Sequence, residues 1–579
     1  MKTIQANFRL LLGMILIAGL LTACGNHAPK EAKYIPKDAS AVLVLDPKSL
    51  HDKMEKSGIN MDTLINRLFK RGGVDSTDRT KFYDVRDSAG IDWNAKLFFF
   101  SLQGTDEKQA ASNVLNLIGG LSDAKKFEGF LQKQPFLANK ALKKEKNYSY
   151  IIISNESMIA WNETNVIGSS YHSNVKPYYD SVAMKFVVPE KGNTEKEMKA
   201  EVDKYFTQKE SESLASIDAF GNMFKTKSDG YAFSSTNHYL SILGTMPLQL
   251  PKLEELVKDN YVASTLSFED GKIVATATTY TNPFVSSILK RYAGPTVNLS
   301  LIENYPSENI NMVMMASFNP EIFGGVLKQL EVEGLVNNFM EKTGFSSQDL
   351  YKTLKGDIAV VVSDLSMPTK DFKVKNDSTL IVERKPLGKM IFNAPVGDPV
   401  AFAKIMNKAV ELGYFTKNGP VYNAGKLMSF MGMYVHADEK NLIIASDSIT
   451  YAQYVSNKTK AVFSNDALNM FRGKSSIAYF DIANTIKGFL NNQNGDYKNS
   501  LVTAKETFKD MIISSDNFDG STLKGKFEIR LNNEKQNSLV TLTSLFTDIA
   551  VDMRMASKKE AALEERMFPT GVPAIIRTN

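Results

Sequence analysis

Tyr150-Ile-Ile-Ile-Ser-Asn-Glu-Ser-Met-Ile-Ala-Trp-Asn-Glu163 lies over Tyr434-Val-His-Ala-Asp-Glu-Lys-Asn-Leu-Ile-Ile-Ala-Ser-Asp447 without a gap. Each stretch is an apolar run, a polar break (Ser154-Asn155-Glu156; Asp438-Glu439-Lys440) and a second apolar run, which is the form of a β-hairpin. Working outward, more segments recur in the same order. An apolar strand and a helix at 40–46 and 48–56 match a strand and a helix at 311–317 and 320–330. Gly90 precedes an apolar strand at 96–102, and Gly344 precedes one at 356–362. A helix with a Phe four residues after an Asp follows in both places, Asp123 with Phe127 and Asp398 with Phe402. Asn222-Met223-Phe224 and Asn469-Met470-Phe471 each lead to a Lys-Ser pair and another strand. Residues 261–268 and 272–279 flank Asp270-Gly271, a two-residue turn that suits type I′. The counterpart of that hairpin is read at 520–531 with 539–545. The expected architecture is α+β: two related domains of mainly antiparallel sheet with helices packed on one face, by internal duplication.

The chain has 579 residues, 43% of them hydrophobic, enough to build more than one core. Its start reads as a secretory leader: Lys2 and Arg9, an apolar run over 10–20, then Leu21-Thr22-Ala23. The run is short of the about 20 apolar residues that a membrane-spanning helix needs. Cys24, the single cysteine, sits just past the small residues and there resembles the lipobox of bacterial lipoproteins. That resemblance implies cleavage after Ala23 and acylation of Cys24. The domain reading is therefore a leader over 1–23, a tether over 24–33, domains over 34–297 and 298–555, and a helical or loose tail over 556–579. Removal of Lys2 and Arg9 takes the formal charge from +5 to +3, too balanced to call for nucleic acid. One cysteine leaves no intrachain disulfide and no thiolate metal site.

Tyr34-Ile35-Pro36-Lys37-Asp38-Ala39, followed by an apolar strand ending in Asp46, is similar to the start of a Bacteroidetes lipoprotein family catalogued as a domain of unknown function. The resemblance covers most of residues 34–555. It implies an envelope address and supplies no catalytic residue. Acidic residues directly after the cysteine, usual in surface-exported lipoproteins of that group, are missing from Gly25-Asn26-His27-Ala28-Pro29-Lys30. Their absence favours the periplasmic face of the outer membrane over the cell surface. Several Asp-Ser/Thr triplets resemble the O-glycosylation signal of the same organisms, and Thr63, Ser76 and Ser378 stand in the most polar or turn-like surroundings. Asp-Ser/Thr pairs also cap helices and turns, so a purely structural role competes at each.

The sequence shows no catalytic motif. The five histidines (His27, His51, His172, His238, His436) lack the spacing of a zincin site, and phosphate loops and nucleophile elbows are missing. No metal and no cofactor is expected. A carboxylate pair for glycoside cleavage is set by spatial rather than sequence distance, so it is open at this level. For ligand contact the aromatic candidates are Trp93, in a turn-like stretch, and Tyr171, Tyr178 and Tyr179 in a Tyr-rich segment. Trp161 reads as a core residue. The functional expectation is an outer-membrane-anchored lipoprotein, held by acylated Cys24, that binds an envelope protein or glycan without catalysis or serves an envelope-structural role. The alternatives are a carboxylate-based glycan hydrolase and a surface glycan-binding adhesin.

Overall fold

The structure is a computed structural model. It describes residues 28–546, leaving out 61, 64–65, 67–68, 70–75, 107–110, 175–176, 181–183, 189–192, 241–249, 251, 368, 374–379, 385–386, 430–431, 457–464 and 491–497. Cys24, Ser378 and the whole of the 556–579 tail lie outside the described residues. The chain mixes helices with mostly antiparallel sheet and divides into two compact units. The first holds residues up to 47, 86–241 and 261–265; the second holds 48–85, 242–260 and 266 onward.

In the first unit the main strands of the sheet are β1 (Ala41–Leu45), β2 (Leu97–Thr105), β3 (Ala111–Leu121), β4 (Leu142–Lys144), β5 (Ser149–Ser154), β6 (Ser157–Trp161), β7 (Asn165–Asn174) and β8 (Gly230–Ser235). Their order is β8-β1-β2-β3-β7-β6-β5-β4, antiparallel at every step. The expected hairpin at 150–163 is β5–β6. Strict alternation sorts the side chains: Phe98 and Phe100 are buried, and Phe99 between them is exposed. Helix α1 (Ala124–Gln132) is started by Asp123, whose carboxylate accepts from the backbone N–H groups of Lys125 and Lys126. Phe127 and Leu131 on its inner face pack with Leu137, Ile151 and Trp161, a small lobe core in which Phe127 and Trp161 meet edge to face at 5.6 Å. Helices α2 (Thr194–Thr207) and α3 (Asp218–Met223) follow β7.

In the second unit the strands are β9 (Lys272–Tyr280), β10 (Ile310–Ser317), β11 (Asp357–Ser366), β12 (Leu387–Pro395), β13 (Phe415–Asn418), β14 (Val421–Ala424), β15 (Tyr434–Ala437), β16 (Asn441–Ala445), β17 (Ser476–Asp481), β18 (Phe508–Ser515) and β19 (Thr522–Leu531). Their order is β9-β19-β18-β17-β10-β11-β12-β16-β15-β14-β13, again antiparallel. Helix α4 (Pro399–Glu411), capped by Asp398, follows β12; α5 (Ser448–Val455) and α6 (Asn465–Phe471) lie between β16 and β17. The main core gathers Val313, Met315, Val361, Ile391, Ile443 and Phe471.

Two details differ from the sequence reading. Residues 538–546 are helical, so they do not pair with β19, whose partners are β18 and β9. The Asn537 side chain accepts from the Leu539 N–H and its carbonyl from Val540, which turns the chain into a helix that buries Val540 and Leu545. The Asp270-Gly271 turn is not type I′, because Gly271 alone takes a positive φ of 68°. Its N–H donates to the Gln536 carbonyl and its own carbonyl accepts from Leu531, so neighbouring chain sets its geometry.

Candidate functional site

The first unit holds a cavity of about 400 Å³ beneath α2, lined by Asp38, Gln103, Ser112, Tyr171, Glu197 and Glu201 among others. Its floor follows from register. Ser112, Val114 and Asn116 of β3 stand opposite Ser173, Tyr171 and Ser169 of β7, and alternation aims all six to one side of the sheet. Its roof is α2, whose Asn193 cap accepts from Lys196 N–H and whose inner face buries Met198, Val202 and Tyr205. Glu201 sits within that 3.6-residue stripe, one turn beyond Glu197 and one before Tyr205.

Polar contacts join the floor to the roof and run along the floor. The Tyr171 hydroxyl donates to the Glu197 carboxylate, and the Ser173 hydroxyl donates to Asp106 at 2.7 Å. Ser169 donates to Asn116 Oδ1 at 2.6 Å. Tyr205 meets Phe100 edge to face at 5.4 Å, which closes this set at its apolar end. Two groups of α2 stand apart: the Glu201 Oε2 and the Tyr205 hydroxyl are buried with no hydrogen-bond partner among the described residues. Burial raises the Glu201 carboxyl above its ordinary range, against the pull of Lys204. Burial likewise raises the Tyr171 and Tyr205 phenols. The cavity therefore offers Glu197, whose carboxyl oxygen accepts from a phenol, and Glu201, whose burial favours the protonated, donating form. Such a set can bind a neutral polyhydroxyl or a cationic group. Among the described residues no group of three or more His, Cys, Asp or Glu side chains is placed to hold a metal ion.

The sequence candidates are scattered. Tyr171 is 3% exposed and lines the cavity. Trp93 is 42% exposed, lies outside the lining, and donates its indole N–H to the Arg86 carbonyl at 2.9 Å. Tyr178 and Tyr179 belong to a short strand, Tyr178–Asp180, paired with Lys185–Val187; their side chains are outside the described residues. Thr63 is exposed on a helical turn and donates its N–H to Asn60 Oδ1, while Ser76 opens the helix Ser76–Ser88. Trp161 is a core residue, as read. His436 stacks on Tyr451 at 4.9 Å, and His172 lies 3.6 Å from Glu156. The sequence reading missed Glu197, Glu201 and Asp38. A signal was present: Glu201 falls between Met198, Val202 and Tyr205 at helical spacing, a carboxylate inside an apolar stripe.

Residues 32–539 match the family model described as a domain of unknown function, DUF4836, and the chain belongs to that family. No curated protein matches the chain. Two solved structures of TP0453, crystal forms I and IV, are similar at 11% identity. Their TM-scores are 0.22 and 0.21; they cover 47% and 45% of this chain, and 88% and 83% of their own.

Proposed function

We propose that this chain is an envelope lipoprotein of a Bacteroidetes-type family, anchored through Cys24 to the periplasmic face of the outer membrane, whose two related units bind an envelope partner or glycan without catalysis. The observation that carries it is the placement of the only cysteine directly behind a leader too short to span a bilayer. It is compatible with the finding that no helix among the described residues is long and apolar enough to cross a membrane. Metabolic labelling with a fatty-acid probe tests the anchor: label should enter the wild type and not Cys24→Ala, which should move to the soluble envelope fraction. A wild type left unlabelled with its leader intact refutes the reading.

The duplication has support from topology. In chain order and in sheet order, β1 to β8 correspond to β10 to β17, with α1 matched by α4 after the third strand of each set. Following the ladders, Ala41 corresponds to Met312, Ser101 to Val362, Ile118 to Asn393 and Ile167 to Ile443. The same register brings Asp123 onto Asp398 and Phe127 onto Phe402. It also aligns β6–β7 with β15–β16. The Asn162 and Asp438 side chains each accept from the backbone N–H groups two and three residues on, and their own N–H groups donate to the Asn165 and Asn441 carbonyls. The gapless match of 150–163 with 434–447 is thus one strand out of phase.

A second reading, the carboxylate-based hydrolase, has one observation in its favour. Glu197 and Glu201 share the cavity, the first accepting from the Tyr171 hydroxyl and the second buried without a partner among the described residues, and an acid and a base also need unlike surroundings. Incubation with peptidoglycan and envelope polysaccharide should release no reducing ends; release that Glu201→Gln abolishes would replace the binding reading.

A further inference from the structure

We infer that the lobe of α1 and β4–β5 is a docking surface for the anionic phospholipid of the bilayer that carries the anchor. The orientation rests on the lipid-anchor reading above; the surface itself rests on charge and placement. The described chain begins at Ala28, four residues after Cys24, a span of at most roughly 14 Å when extended. The incoming segment is pinned to the first unit at once. The Lys33 carbonyl accepts from Gln208 Nε2 at 2.8 Å, and the Tyr34 hydroxyl accepts from Asn162 Nδ2 at 2.9 Å. Tyr34 is buried against Phe206. Lys33 and Tyr34 line one groove with Lys125, Glu128, Lys144 and Lys146. Whatever Cys24 is embedded in must therefore lie beside this groove.

Charge is concentrated there. Residues 28–34 and 123–148 hold nine lysines against four carboxylates, a surplus of +5 where the whole mature chain has +3. Lys125, Lys126, Lys133, Lys140, Lys144 and Lys146 are all exposed. Between Lys133 and Lys140 the one-turn helix Pro135–Leu137 presents Phe136, 64% exposed, beside the buried Leu137 that ties the turn to the lobe core. Lysines around an exposed aromatic suit a phosphate headgroup layer, with cations on the phosphates and the ring at the interface. The matching lobe of the second unit, residues 398–424, has three lysines and two carboxylates, so the surplus is not a property of the lobe as such.

The test is vesicle sedimentation of the mature chain carrying Cys24→Ala, so that no acyl chain contributes. It should bind vesicles of neutral phosphatidylcholine mixed with phosphatidylglycerol, and not vesicles of phosphatidylcholine alone. Binding should vanish in 1 M salt, where screening acts within roughly 3 Å. A lysine near such a surface is worth about 1 kcal/mol, roughly fivefold. Changing Lys125, Lys126, Lys144 and Lys146 together to Gln should therefore weaken partitioning by roughly 100- to 1,000-fold, with thermal midpoint unchanged. Changing Lys404, Lys408 and Lys417 to Gln should leave it within about twofold. Equal binding to both vesicle types, or a quadruple variant that binds like its parent, overturns the surface. An intact mass lacking acyl chains would instead overturn the anchor, and the two failures are read from different measurements.

Discussion

Trp161→Ala should cost the protein about 3–5 kcal/mol. The indole is 3% exposed and closes the lobe core formed by Phe127, Leu131, Leu137 and Ile151. A buried Trp removes roughly 200 Å² of apolar surface from water, worth about 5 kcal/mol at 25 cal/mol per Å², and Ala recovers little of it. The cavity left behind adds to the loss, because α1 is fixed at one end by the Asp123 cap and cannot settle onto β6. Its edge-to-face contact with Phe127 should appear as a coupling of about 0.5–1.5 kcal/mol in a cycle with Phe127→Leu. Urea unfolding followed by far-ultraviolet circular dichroism reads both quantities without relying on the altered chromophore. The change Ala437→Trp would place the same ring beside Phe402, Met406 and Tyr422, with Ala437 fully buried. There it should overpack and also destabilise, by about 1–3 kcal/mol. A Trp161→Ala cost under about 1 kcal/mol would refute the packing argument.

Two further outcomes follow from single residues. The raised Glu201 carboxyl means that the unfolded chain ionises first as pH rises, so this group withdraws stability between its unfolded value and its higher folded one. Glu201→Gln should therefore raise the melting temperature at pH 7 relative to wild type and have much less effect near pH 4; an equal shift at both would exclude burial as the cause. Gly356→Ala should cost several times the about 1 kcal/mol typical of a point mutation, because φ is +102° and a Cβ would sit 1.9 Å from the Phe318 carbonyl oxygen; a near-neutral melting temperature would refute the close approach.

Local chemistry explains what was legible in the sequence. The hairpin at 150–163, the Asp123 and Asp398 caps and the core role of Trp161 depend on residues a few positions apart, where alternation and side-chain caps act before any distant contact forms. The helix over 538–546 escaped because its apolar residues are too few to separate a period of 2 from 3.6, and the Asn537 cap decides between them.

The chain by itself determined the antiparallel hairpins, the capped helices and the place of Cys24 after a short apolar run, since each is written in neighbours along the backbone. Only the folded sheet decided that β16 pairs directly with β12 while β6 is separated from β3 by β7, because pairing is a property of strands far apart in sequence. It alone brought Asp38, Glu197 and Glu201 into one cavity and set the lysines of residues 123–148 beside Lys33, since burial and electrostatic proximity are fixed by distances in space that sequence separation does not encode.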